Sequence, residues 1–249
     1  MSNTLSLLWL EQYENWKKLD KKMFYAQDDF NKSAEKKFVK YIESIHLLAV
    51  ISEKTSNIPK VIEEDYRYED IYVIQVALKL DGTEQELSKI IHSIIPNPVL
   101  IIYRYGTKVG FSVAKKRRSK ADASKQVVER DAYVPLSSQD EIEKYLDDMN
   151  YQDQSVMDQM RYYLGWCDKT AVQSLVSSKL LEEYASPPRQ REMFEKNYLL
   201  ILESQSQISL KQQEYKQQLS EWDKADIHMQ IVDLKTQQQQ YIDHLFISS

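Results

Sequence analysis

Four histidines are the first side chains whose chemistry has to be weighed, and they stand at His46, His92, His228 and His244. None has a neighbour at the short spacing that lets imidazoles or carboxylates share a metal ion, so the pattern predicts no metal centre. His92 falls on an expected helix and His46 at the mouth of an expected strand, where a buried, hydrogen-bonded ring is the ordinary outcome. The four glycines of the chain form neither a phosphate-cradling loop nor the elbow of a serine hydrolase. Cys167 is the single cysteine, with no histidine beside it in sequence. It reads as a small apolar side chain next to Trp166 in a protein of a reducing compartment.

Two patterns remain. A magnesium-dependent nuclease places an acidic residue on one strand and a Glu-x-Lys pair on the next, the carboxylates holding the metal and the lysine stabilising charge. Lys79 closes a strand candidate at 70–80, with Glu63, Glu64, Asp65, Glu69 and Asp70 upstream, but Ala77 stands two residues before the lysine, where the pair requires a carboxylate. The second pattern is the run 115–130, KKRRSKADASKQVVER, with seven basic and two acidic side chains. Lys115, Lys116, Arg117, Arg118, Lys120 and Lys125 are its candidate nucleic-acid contacts, each neutralised phosphate adding salt-sensitive affinity. Tyr103, Tyr105 and Phe111 on the adjoining hairpin would stack bases if they faced outward. Residues 131–160 reverse the sign, with eight acidic and one basic. The two blocks either neutralise each other or make separate docking surfaces. No catalytic residue, metal or cofactor is assigned, and the chain reads as non-enzymatic.

The elements that would position these side chains follow from periodicity. Leu5, Leu8, Trp9, Tyr13 and Trp16 recur at helical spacing over 4–22. A second helix over 30–45 carries Phe38, Tyr41 and Ile42, with Asn31 or Ser33 as its cap. IHLLAVIS at 45–52 and DIYVIQVALKL at 70–80 read as strands. Thr83 and Glu86 have capping-box spacing ahead of a helix over 83–95, and Pro96 and Pro98 stop it. PVLIIYRYG and KVGFSVAKK form a β-hairpin across 106–108, YVPL at 133–136 adds an edge strand, and helix resumes over 139–185 until Pro187 and Pro188. The expected fold is α+β: a small mixed β-sheet with covering helices, a helical N-terminal segment and a long C-terminal coiled-coil or helical-hairpin arm. The expected division is 1–44 N-terminal helices, 45–138 sheet core with the basic loop, 139–188 helical segment and 189–249 arm.

Composition bounds this reading. The chain has 249 residues, a net charge of -5, and 17 Tyr, 4 Trp and 6 Phe. So many aromatic residues exclude a disordered chain, and so few glycines and prolines weigh against a turn-dense all-β fold. No stretch approaches the ~20 apolar residues that span a bilayer, and the N-terminus lacks the basic start of a signal peptide. A cytoplasmic protein is expected.

In the arm, Phe194, Tyr198, Ile201, Gln205, Ile208, Gln212, Tyr215, Leu219 and Trp222 step by four and three, a heptad seam. A second seam, Ile227, Ile231, Leu234, Gln238, Tyr241 and Leu245, is offset by one residue. The offset means either a stutter in one helix, roughly 85 to 90 Å long, or a tight helical hairpin near 221–226. Phe194, Tyr198, Ile201, Ile208, Tyr215, Leu219 and Trp222 are the candidate partner-binding residues, for a larger protein or a second copy of the chain.

Three blocks, FNKSAEKKFVKYIESIHLLAVISEKTSNIP, IIHSIIPNPVLIIYRYGTKVGFSVAKK and RQREMFEKNYLLILESQSQISLKQQEYKQQL, resemble in order and spacing those of a bacterial and archaeal domain-of-unknown-function family, the DUF4391 type. They cover about half of the chain. The resemblance implies an α+β body with a C-terminal coil and a setting in phage-defence or restriction-modification islands beside helicases and DNA methyltransferases. It supplies no mechanism, and Gln75 and Ala77 depart from the more polar pattern expected before Lys79. The expected function is therefore a non-enzymatic accessory subunit of such an assembly, docking a larger helicase- or methyltransferase-type partner through its arm and contacting nucleic acid through 115–130. A divergent Mg-dependent nuclease and a stand-alone nucleic-acid-binding module are the alternatives.

Overall fold

A computed structural model describes residues 10, 14–25, 30–122, 125–150, 155–181, 191–218 and 220–245. The chain divides into two compact units, Met1–Ser178 and Lys179–Ser249.

The first unit is built on strands β1 (Glu14–Leu19), β2 (Ile42–Ser52), β5 (Asp70–Leu78), β6 (Val99–Tyr105), β7 (Lys108–Arg118) and β8 (Gln126–Leu136). They form one six-stranded sheet in the order β1-β2-β5-β6-β7-β8. The short strands β3 (Val61–Ile62) and β4 (Arg67–Tyr68) pair separately. β5 and β6 are parallel, while the other neighbours run antiparallel. A parallel pair needs a crossover, and helix α4 (Glu84–Ile94) supplies it, following α1 (Lys22–Tyr25), α2 (Lys32–Tyr41) and α3 (Glu53–Ser56). Leu87, Ile91 and Ile94 of α4 pack with Ile74, Val76 and Leu78 of β5, with Val99, Ile101 and Tyr103 of β6, and with Phe24 and Phe38. Each such aliphatic side chain contributes about 1.5–3 kcal/mol on burial.

The opposite face is covered by α5 (Gln139–Asp148) and α6 (Gln159–Ser177). Successive residues of β7 show the division, because strand side chains alternate between faces. Ser112 meets His92 of α4, whereas the Phe111 ring lies 4.6 Å from that of Tyr145 on α5. Tyr145 in turn shares a 2.8 Å hydrogen bond with Thr170 of α6. Tyr163 of α6 donates its hydroxyl to the Val99 carbonyl at 2.8 Å and accepts from the Ala114 amide at 3.1 Å, joining the helix to β6 and β7.

Several expectations change. The helix expected over 4–22 is strand over Glu14–Leu19, its earlier part lying outside the described residues apart from position 10. Helix α2 is shorter than 30–45 and is capped by Asn31, whose side chain accepts from the Ser33 and Ala34 amides. The last residues assigned to that helix, from Ile42, are already strand because they pair with Leu78 and Ala77 of β5. Thr83 precedes α4 without any side-chain cap bond, so its capping box does not form. Capping boxes occur instead at Ser52 with Thr55 and at Ser138 with Glu141. The edge strand seen as YVPL begins at Gln126. Pro187 and Pro188 lie outside the described residues.

In the second unit, α7 (Arg191–Gln217) and α8 (Glu221–Asp243) are separate helices. Ile208 packs on Ile227 and Ile231, Gln238 Nε2 donates to the Ile201 carbonyl at 3.2 Å and to Gln205 Oε1 at 3.1 Å, and Asn197 Nδ2 donates to the His244 carbonyl at 3.1 Å. Partner numbers fall along one helix as they rise along the other, so the pair is an antiparallel hairpin. One unbroken helix is excluded by this pairing, because its two halves could not meet.

Candidate functional site

The basic run is not a loop at its start. Lys115–Arg118 is the end of β7, and antiparallel pairing with β8 turns alternate side chains into the protein. Lys116 is 1% exposed. Its Nζ donates to the Ile95 carbonyl and, at 2.9 Å, to the Asn97 carbonyl, meeting the acceptors that follow α4. Burial pushes its amine down to about 7. Lys116 therefore has no surface to offer a phosphate, which corrects its place among the candidate contacts. Lys115 and Arg117 flank Glu129 at 3.5 and 3.3 Å, and the Arg118 amide donates to the Asp65 carbonyl at 2.7 Å. Lys120 is exposed and Lys125 is half-buried. Tyr103 and Phe111 are buried and cannot stack a base, leaving the exposed Tyr105 of that trio.

Beside this run lies a cleft of about 530 Å³ between the second half of α4 and the connection from β7 to β8, lined by Lys89, His92, Ser93, Ser119, Lys125, Gln126, Val127, Val128 and Asp131. His92 is 1% exposed, with Nε2 3.0 Å from Ser112 Oγ. Its Nδ1 has no hydrogen-bond partner, and neither has Gln126 Oε1. Burial, reinforced by the nearby Lys116, holds His92 well below the usual histidine range, so the ring is neutral at pH 7. Sequence reasoning placed His92 and Lys125 but missed Lys89, Ser93, Gln126 and Asp131. They come from a helix and an edge strand, and no local spacing joins them.

The other singled-out residues lie elsewhere. Lys79 Nζ donates to the Val39 carbonyl at 2.8 Å, and among the described residues no group of three or more His, Cys, Asp or Glu is placed to hold a metal ion. His46 sits opposite Gln75 on the sheet, its ring 4.5 Å from that of Trp16. Cys167 is buried, near Tyr68 and Tyr163, whose hydroxyls burial and that neighbour push up.

In the hairpin, Phe194, Tyr198, Ile201 and Ile208 are buried. They are consumed within the chain and cannot dock a partner unless the hairpin opens, which corrects their assignment. Tyr215 and Trp222 remain exposed, Trp222 at 88%, and Leu219 lies outside the described residues. Other apolar side chains face water. Leu199, Leu202 and Leu210 of α7 and Met229 and Val232 of α8 are exposed, Leu210 at 62% and Met229 at 65%. At 100° per residue Leu199, Leu202 and Leu210 lie about 180°, 120° and 160° from Ile208 and so turn away from α8, whereas Met229, about 160° from Ile231, turns away from α7, which puts it on another side of the hairpin from the leucines. The three- and eight-residue spacing of the leucines carried that signal, and the stronger inner seam obscured it.

The model of a family described as a domain of unknown function, DUF4391, matches residues 11–238, and the chain belongs to that family. No curated protein and no solved structure matches it.

Proposed function

With membership of that family as the premise, we propose that the chain is an accessory subunit of a bacterial antiviral or restriction-modification-like assembly, docking a larger protein through the outer face of its C-terminal helical hairpin. The observation that carries this reading is the exposed row of Leu199, Leu202 and Leu210 on α7. The hairpin already buries one apolar stripe between its helices, and a second stripe left in water marks an interaction surface. A helix face with apolar anchors three, four and seven or eight residues apart is what a groove on a partner, or a further helix completing a coiled bundle, takes up. The helicase or methyltransferase character of the partner rests on the resemblance of the sequence blocks, and the cytoplasm is the proposed setting because such enzymes work on DNA there.

The test is co-purification of the intact chain with the helicase or methyltransferase encoded beside it. Leu199→Glu, Leu202→Glu and Leu210→Glu together should abolish capture, since each would put an unpaired carboxylate into an apolar contact, and burying such a charge without a partner is strongly unfavourable. Helicity and melting temperature should hardly move, because the substituted side chains are exposed. Capture that survives all three changes, or that the unaltered chain never shows, rejects the reading. Sedimentation of the same variants separates docking to another protein from pairing with a second copy.

A further inference from the structure

We propose that the outer edge of β8 takes up an extended segment of a partner protein as an added strand, one that carries a Lys or Arg and an apolar residue two positions apart. The inference is independent of docking through the hairpin.

β8 ends the sheet, and among the described residues it pairs with β7 alone. The direction of its backbone groups follows from its neighbour. The Ala114 amide donates to the Tyr163 hydroxyl at 3.1 Å, and that hydroxyl also bonds to Val99 of β6, so Ala114 turns its backbone groups toward β6 and away from β8. Asp131 stands opposite Ala114. The two residues of such an unbonded antiparallel pair point their N–H and C=O groups in opposite directions, so those of Asp131 point out of the sheet. Tyr133, two residues on, repeats the direction. Pro135, two further on, stands opposite Gly110 and has no N–H to leave unmet, which is where a sheet edge admits proline. Donors and acceptors at the repeat of a strand are matched by the backbone of another extended chain. The register shift of β8 at Lys115 and Lys116 and Pro135 at the other end confine the pairing to a short segment.

The side chains of this edge specify the segment. Tyr133 is opposite Ser112, which meets His92 of α4, so Tyr133 and Asp131 lie on the α4 side of the sheet while Arg130 reaches Asp168 of α6 on the other. Both are half-buried. The cleft of about 530 Å³ has Asp131 in one wall and Lys89 and Ser93 of α4 in the other, which leaves room for the side chains that an added strand turns to this side. Glu129 and Arg130 have ion-pair partners, whereas the Asp131 carboxylate has none among the described residues. A cation directly opposite on the added strand supplies one; Lys89 is exposed on the far wall, where water screens it. The Tyr133 ring rests on that of Tyr103 at 6.2 Å, and an apolar residue opposite covers its open side. A second copy of β8 fits less well. Antiparallel pairing about Ala132 would set each Asp131 opposite the other copy's Tyr133 and leave both carboxylates without a cation, and pairing about Asp131 would set the two carboxylates face to face.

The probe is the blocked heptapeptide acetyl-Thr-Val-Thr-Lys-Thr-Val-Thr-amide, which presents Lys and an apolar residue two apart in either strand direction. It is compared with the same peptide carrying Glu for Lys, and with two N-methylated forms, one modified at Val and Lys and the other at Thr. Calorimetry and amide exchange of the intact chain read the result. The Lys peptide should bind and protect the Asp131 and Tyr133 amides. In Asp131→Lys its affinity should fall by about tenfold or more, since like charges then meet, and the Glu peptide should become the better ligand. One N-methylated form should lose binding and the other keep it, because alternate amides of a strand face its neighbour; the form that fails gives the direction of the added strand. The proposal is overturned if the Lys peptide does not bind, if it binds Asp131→Lys equally well, or if both N-methylated forms bind. It is overturned as well if the Asp131 and Tyr133 amides of the free chain become protected as its concentration rises, which would make a second copy the occupant.

Discussion

Lys116 carries a buried amine, and its two carbonyl partners, of Ile95 and Asn97, ask for hydrogens rather than for charge. A neutral amine donates two. Burial pushes the group down to about 7, while an unfolded lysine titrates near about 10.4. Between these values the unfolded chain binds one more proton than the folded one, so the Lys116 contribution to stability rises with pH from about 7 toward 10, with a slope of at most about 1.4 kcal/mol per unit. The depressed His92 adds a rise of its own only below about pH 6.5. His92 and Cys167 are the titratable groups beside it. The buried Tyr68, Tyr103 and Tyr163 are all pushed up, which removes stability only above about pH 10, where their unfolded counterparts ionise. Urea midpoints should therefore climb between pH 7 and 9.5, and in Lys116→Met the climb should vanish whatever the change in absolute stability. A climb that persists in the variant belongs to another group. The charge run concealed this residue. Four consecutive cations read as solvated, and only pairing with β8 shows that the second of them turns inward.

Among the elements, β8 and α6 are held by Arg130 and Asp168, whose side chains are nearly buried and meet at 2.6 Å. Removing one partner leaves an uncompensated charge in a low-dielectric interior, so Arg130→Met alone should cost about 3–5 kcal/mol. Arg130→Met combined with Asp168→Leu should recover most of that loss. Chemical unfolding of the two single and the double variants reads the coupling. A double variant as unstable as the sum of the singles would mean that the two charges do not depend on each other. Elements with a buried face were legible: the alternation of β5, the branched run of β6, the hairpin to β7 and the apolar stripe of α4 all appear where periodicity puts them. β1 did not, for a physical reason. Glu14, Trp16, Lys17 and Lys18 are exposed and Leu19 packs against the core, so among the described side chains of the strand no alternating buried side impresses a two-residue period on the sequence, and backbone pairing to β2 holds it. The aromatic residues around it happen to recur at helical spacing.

On the scale of the whole molecule, each unit has its own core. Phe24 through Tyr103 supply the cluster beneath α4, and Ile208, Ile227 and Ile231 supply the contact inside the hairpin. The offset between the two heptad seams was legible as a choice between a stutter and a turn. The choice itself was not, because a heptad seam satisfied by a neighbouring segment and one satisfied by another chain have the same spacing. Ending the chain after Pro188 separates the consequences. The 1–188 segment retains the whole six-stranded sheet and all of α6, so it should unfold cooperatively in urea while losing co-purification with the docked partner. The hairpin alone, cut as 189–249, has a core of a few isoleucines. Segments below about 70 residues seldom stabilise themselves by more than about 3–5 kcal/mol, so circular dichroism should find it less helical than it is in the full chain and gaining helix when the partner is added. If 1–188 instead precipitates or loses its sheet signal while the full chain runs as a compact monomer, the hairpin is serving the body as core. Its outer leucines would then be surface left over from folding, and the docking reading would fail with them.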